Sequence, residues 1–450
     1  MLESAIVADV RGPAMTPTPP GECELTACGI TQAAHGIAVA LAWPRTYGSH
    51  TLDRIPRNTS QLSTARRIPS LDIIRGAAMV LMALDHVRVF AAVPAGGPTP
   101  GVFFTRWITS YCAPAFVFLA GTGAYLHGQR TNRSGLSTYL LARGALLILL
   151  ELTVSRLGWT FNFDYAHYTE GNVLWMIGWC MIALAGLSRL PLTAVGTFGI
   201  AVVAGHNLVA TLVQSTWPRL DETTFAWLWQ LLYFGGDVVV GPNGPRLVIL
   251  YSIIPWVGVI AAGYAFGPVI GLESRRRRRI CVALGVGAVA VFLALRVFDG
   301  YGDPYPWRQL RANFPAPLAF LLTNKYPASL LFLLMTLGPT IGVLPLLERA
   351  RGRIAAWLAT FGRVPLFFYL LHIPFVHAVA VLMSHVRSPG ATGWLFLNHP
   401  LRVPPAPPGY RWSLLMLYIV WLAVVVILYF PSRWFADLQA RRPDSWLAYL

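Results

Sequence analysis

Ten stretches of mainly apolar residues, each close to the roughly 20 residues a helix needs to cross a bilayer, follow one another between residues 71 and 430. This recurrence narrows the fold sharply. In hydrocarbon every backbone N–H and C=O has to be satisfied within the chain, so segments of this length span as helices. The runs lie at 71–92, 104–127, 137–157, 171–188, 192–213, 247–268, 280–297, 328–346, 365–386 and 412–430. The expected fold is all-α, a polytopic integral membrane bundle of about ten transmembrane helices. Composition agrees, with 55% hydrophobic and only 12% charged residues, where soluble domains average about 25% charged. Segment 225–234 is too short to cross and reads as an interfacial or re-entrant piece.

Charge gives the bundle a direction. The net charge of +16 comes almost wholly from arginine, and Lys325 is the only lysine. Nucleic-acid binding is one reading of such a balance. The arginines, however, sit in short loops between apolar runs, which is the pattern that sets membrane orientation. With the N-terminus inside, the cytoplasmic loops receive Arg66 and Arg67, Arg130 and Arg133, Arg189, the run Arg275 to Arg279, Arg349, Arg351 and Arg353, and lastly Arg433, Arg441 and Arg442. The other side receives Asp164, Glu170, Asp221, Glu222, Asp299 and Asp303, together with Arg308, Arg311 and Lys325. Both termini are therefore expected in the cytoplasm. Residues 1–65 are rich in Pro, Thr, Gly and Ser without a sustained period, and read as a disordered N-terminal arm ahead of a membrane domain at 66–450. An over-extended reading frame would give the same arm. Five scattered cysteines suggest no disulfide framework. No P-loop, dinucleotide fingerprint or HExxH appears, and no metal site is expected.

The first run is the unusual one. SLDIIRGAAMVLMALDHVRVF, Ser70 to Phe90, is apolar enough to span yet holds Asp72, Arg75, Asp85, His86 and Arg88. An ionisable side chain at bilayer depth is unfavourable by about 2.5–3.5 kcal/mol on insertion scales, and marks a functional site by default. Arg75 and His86, eleven residues apart, come within about 20° of a whole number of helical turns, so they share a face about 16 Å apart along the axis. Met79 and Met82 fill that face between them. Asp72 is within reach of Arg75, and Asp85 of Arg88, at i, i+3. A structural reading makes Arg75 a snorkelling anchor and His86 a satisfied polar residue between helices. The functional reading is a cavity with a cationic cytoplasmic mouth for phosphates and a neutral imidazole deeper in as general base. A nucleotide thioester fits that separation.

These residues carry a resemblance. The segment resembles the opening helix of the bacterial relatives of heparan-α-glucosaminide N-acetyltransferase, and further stretches look like the same group: FFTRWITSYCAPAFVFLAGTGAYL at 103–126, LLILLELTVSRLGWTFNF at 146–163, GNVLWMIGWCMIAL at 171–184, NKYPASLLFLLMTLG at 324–338 and FGRVPLFFYLLHIPFVH at 361–377. The RG…H element of Arg75, Gly76 and His86 is also similar to the first helix of membrane acyltransferases that modify sugars. The resemblance implies transfer of an acetyl group from cytosolic acetyl-CoA to a sugar-type acceptor across the membrane, in a multi-pass protein of the bacterial plasma membrane. It places the donor at Arg75 and Asp72 and the chemistry at His86 with Asp85. The family's loop histidine after the first span has no counterpart in VPAGGPTPGVF, residues 93–103, so its role falls to His86.

Other polar residues are candidates for the acceptor side: Asn172, Asn324, Lys325 and His372. Glu151, flanked by Arg143 and Arg156, reads either as a packing ion pair or as a cavity residue. His206 and Asn207 read as contacts between helices. Expected partners are membrane lipid, acyl-CoA and the acceptor, with homo-oligomerisation left open. The alternative from another class is a secondary transporter of a small solute, with a proton path through Arg75, Glu151 and the histidines. Such proteins often show matching broken halves, and no internal repeat is visible here.

Overall fold

Each apolar run folds as helix, and the charged first run lies at the centre of the bundle. The structure, a computed structural model, describes residues 68–220, 225–239 and 244–442. The arm expected at 1–65 lies outside the described residues. Helix α1 (Pro69–Phe90) opens on a proline, which gives up no hydrogen bond at that position. It stops where Ala92 turns left-handed at φ 53°. The helices that follow are α2 (Pro100–Thr109), α3 (Cys112–Gly128), α4 (Arg133–Leu150), α5 (Arg156–Thr160), α6 (Val173–Leu187) and α7 (Leu192–Leu220). After these come the short α8 (Ala226–Trp229), then α9 (Ile254–Gly271), α10 (Ser274–Phe298), the short α11 (Trp307–Leu310) and α12 (Ala316–Leu321), α13 (Leu330–Leu347), α14 (Arg353–Arg363), α15 (Pro365–Arg387) and α16 (Leu414–Arg441).

Seven of these segments are long and apolar enough to cross a membrane: α2 with α3, α7, α9, α10, α13, α15 and α16. The three remaining runs are occupied by α1, which holds Asp72, Arg75, Asp85 and Arg88; by α4, whose first turns are polar; and by the 15-residue α6. The chain is thus a multi-pass, mostly helical membrane protein. Some edges differ from the hydropathy reading. The second run breaks at Ser110 and Tyr111, and the third passes through a π-helical turn, Glu151–Ser155, before α5. The sixth begins as strand β3 (Arg246–Ile249), which pairs parallel with β1 (Thr169–Gly171) and antiparallel with β2 (Gly236–Val239), in the order β1-β3-β2.

Helix α1 packs against α2, α3, α13, α14, α15 and α16, so buried residues occur all round it. The contact with α14 is backbone to backbone. A Cβ on Gly76 would sit 1.8 Å from the Leu358 carbonyl oxygen, and one on Gly362 the same distance from that of Asp72. The apolar faces that no neighbour covers lie on α7, α10 and α16, where Ile200, Leu208, Val286, Leu293, Leu422 and Phe430 are exposed. These are the faces expected to meet lipid.

Candidate active site

Two histidines from opposite ends of the sequence meet beside α1. His86 Nδ1 lies 2.6 Å from His372 Nε2 of α15, the rings almost parallel at 15°. His372 Nδ1 lies 2.9 Å from the Phe368 carbonyl, one turn back on its own helix. The Phe368 ring stacks on His372 at 5.1 Å. Trp159 of α5 stands edge-on to His86 at 4.7 Å, and Tyr369 edge-on to both imidazoles at 6.4 and 5.5 Å. Helix α5 reaches this position through the π-helical turn, a feature that often re-aims a helix at a functional site. Both histidines are buried, but His86 keeps a little exposed surface where His372 keeps none.

On the other side of His86 lies a charged cluster. The Asp85 carboxylate accepts from Arg88 Nε at 2.9 Å and from the Thr109 hydroxyl at 3.3 Å, and lies 3.8 Å from Arg106 Nη1 of α2. Arg88 also donates to the Val93 carbonyl. Lys325 is buried with its ammonium over the Tyr251 and Tyr326 rings, at 5.9 and 5.2 Å, close enough to act electrostatically on Asp85 and His86. Three cations thus gather at one carboxylate, a balance that favours negative charge arriving beside His86.

Arg75 and Asp72 sit toward the other end of α1. They form a 3.9 Å ion pair, and Arg75 also donates to the Leu119 carbonyl of α3. Arg75 is the more open of the pair, with a quarter of its side chain exposed, as suits a mouth. Met79 and Met82 are buried between Arg75 and His86.

The other predicted residues have more local occupations. Asn172 is the residue just before α6, where the free backbone N–H groups of Leu174 and Trp175 donate to Glu151 Oε2 at 2.6 and 3.3 Å. Glu151 is therefore a helix cap supplied from a neighbouring element. Arg156 is spent elsewhere, on the Tyr168 carbonyl, Thr160 and Asn162, with its guanidinium over the Tyr165 ring. The Asn324 amide donates to the Tyr326 and Pro327 carbonyls and shapes the turn that presents Lys325. His206 meets Tyr233, and Asn207 accepts from the first N–H of α13, both contacts between elements as expected.

Arg106 is the site residue that the sequence reading passed over. The signal was available, since it is a charge inside an apolar run, as Arg75 and Asp85 are. Trp159 gave no such signal, because aromatic residues are ordinary in spans, whereas Tyr369 shares a helical face with His372 at i, i+3.

No curated protein matches the chain. A family model does, over residues 67–295, which take in α1, both members of the Asp85–Arg106 pair, Glu151 and Trp159. Its description is heparan-alpha-glucosaminide N-acetyltransferase, catalytic. The chain therefore belongs to the heparan-α-glucosaminide N-acetyltransferase catalytic-domain family.

Proposed function

We propose that the chain takes an acetyl group from acetyl-CoA at the cytoplasmic end of α1 and passes it to a sugar-type acceptor entering from the far side. His86 serves either as the base that deprotonates the acceptor or as the carrier that is acetylated in passing. Membership of a membrane acetyltransferase family supports the reaction class. The observation that carries the residue assignment is the His86–His372 contact at 2.6 Å, within a bundle whose central helix also bears Arg75.

Each part then has a physical task. Arg75, steadied by Asp72, offers a charge-assisted bond to a donor phosphate. The extended arm of acetyl-CoA runs along the methionine face, and its thioester reaches His86. Lys325 and Arg106 supply positive charge where the thioester oxygen becomes an oxyanion, an arrangement often worth a hundredfold or more in rate. Asp85 holds Arg106 in place, together with Arg88. The acceptor's proton ends on the CoA sulfur as the carbon–sulfur bond breaks. The plasma membrane of a bacterium is the proposed location, with both termini in the cytoplasm.

The test is incubation of purified protein with radiolabelled acetyl-CoA, with and without glucosamine, beside His86→Ala. Wild type should release CoA or retain label, and His86→Ala should do neither. If wild-type protein neither binds nor consumes acetyl-CoA the proposal fails, and counterflow of a small solute in proteoliposomes would favour a transporter instead.

A further inference from the structure

We infer that His372 is a positioning residue: it fixes the tautomer of His86 and leaves His86 Nε2 as the reacting atom. This rests on the reading of His86 as base or carrier, and adds to it which nitrogen reacts and what aims it. A backbone carbonyl only accepts, so the 2.9 Å contact with Phe368 O puts the His372 proton on Nδ1. A neutral imidazole holds one N–H, so His372 Nε2 carries a lone pair. At 2.6 Å from that lone pair, His86 Nδ1 is the donor. The single proton of neutral His86 is thereby placed on Nδ1, and Nε2 is left with its lone pair.

The packing holds this assignment in place. Phe368 stacks on His372 with the rings 9° from parallel, and Phe368 and His372 have no exposed surface. His372 therefore reaches a substrate only through His86, which sets it apart from the acceptor-side role its position on α15 suggests in the sequence. Asp85, Arg88 and Lys325 act on His86 from the cationic side, and Trp159 and Tyr369 close over it with their rings.

The relay serves either route. In direct transfer, Nε2 takes the acceptor's proton as the acceptor attacks the thioester carbon. The carbon–sulfur bond breaks, and that proton passes to the leaving thiolate. Throughout, Nδ1–H stays bonded to His372, which stabilises the transient imidazolium. In the carrier route, Nε2 attacks the thioester carbon and the electron pair of the broken carbon–sulfur bond leaves on sulfur. The Nδ1 proton moves to His372 Nε2, so acetyl-His86 is neutral. Attack by the acceptor then breaks the carbon–nitrogen bond, Nδ1 recovers its proton, and the acceptor's proton goes to the thiolate.

The test measures CoA release from acetyl-CoA with glucosamine present, for wild type, His86→Ala, His372→Leu and His372→Gln. His372→Leu should lower kcat by about 100-fold or more with KM for acetyl-CoA changed less than about threefold. His372→Gln, whose side-chain oxygen can accept from Nδ1, should stay within about tenfold of wild-type kcat. Wild-type kcat in His372→Leu overturns the inference, as does equal loss in both variants with melting temperatures unchanged. If His372→Leu does not fold, His372→Gln decides: kcat within about tenfold of wild type supports the role, and a larger loss in a folded protein overturns it. Full activity in His86→Ala removes the reading of His86 itself. Loss in His86→Ala beside full activity in His372→Leu removes only the positioning role.

Discussion

At the scale of single residues, the charges that made α1 anomalous fall into two groups with different physics. Asp72 and Arg75 form a separate ion pair, in which Arg75 keeps a quarter of its side chain exposed. Asp85, Arg88 and Arg106 are nearly enclosed, with side-chain exposures of 18%, 9% and 11%. Removing the Asp85 carboxylate takes a partner from two buried arginines at once, which is the unfavourable way to break a buried ion pair. Asp85→Asn should destabilise the protein by about 3 kcal/mol. Adding Lys325→Met to that variant should recover part of the loss, since one of the repelling charges is gone. Thermal unfolding in detergent reads both, and an Asp85→Asn protein that melts with wild type would contradict the account. The cluster was only partly legible in the sequence. The i, i+3 pairs Asp72–Arg75 and Asp85–Arg88 follow from helical geometry and are present. Arg106 joins Asp85 from a different helix, and His372 reaches His86 from 286 positions away. Neither distance is set by any local spacing.

At the scale of elements, hydropathy located the helices because burial in lipid or in the bundle selects the same apolar side chains. It could not see where tertiary packing interrupts them. The π-helical turn at Glu151 and the start of α6 are one such case: the residue that opens the turn in one run caps the next. The close contact of α1 with α14 is another. Gly76 reads in sequence as part of an RG…H pattern, but its geometric task is to let the α14 backbone approach. A side chain there has to displace Leu358 backbone rather than a flexible neighbour. Gly76→Val should therefore destabilise by about 3 kcal/mol, at the upper end for overpacking, and should push α14 off α1. Lower melting temperature together with faster proteolysis near 353–363 would show it. A variant with unchanged melting would mean that the two helices separate freely.

At the scale of the whole molecule, the two ends of α1 are finished differently. The Arg75 end keeps exposed charge. The Phe90 end is covered by the segment between α15 and α16: the Tyr410 hydroxyl donates to the Phe90 carbonyl at 2.6 Å, Trp412 N–H donates to the Ala91 carbonyl, and His399 packs on Phe90 at 5.4 Å. His399 lies outside the spanning helices and is buried, edge-on to Trp394 at 4.5 Å. Burial pushes its pKa down to about 4, against the opposing effect of its bond to the Trp394 carbonyl, and His377 adds to the depression. Unfolded, the same imidazole titrates near 6.5. Between those two values the unfolded chain binds more protons than the folded one, so stability rises with pH across the window. The contribution is complete above about pH 6.5 and is lost as pH falls toward 4. The full difference is ~3 kcal/mol, of which about 2 kcal/mol is gone by pH 5. Wild-type protein in detergent should therefore melt at lower temperature at pH 5 than at pH 7, and His399→Phe should flatten that part of the slope. An unchanged slope in His399→Phe would mean that the covering segment opens to water before its histidine is protonated, and that the Phe90 end of α1 is no more closed than the end bearing Arg75.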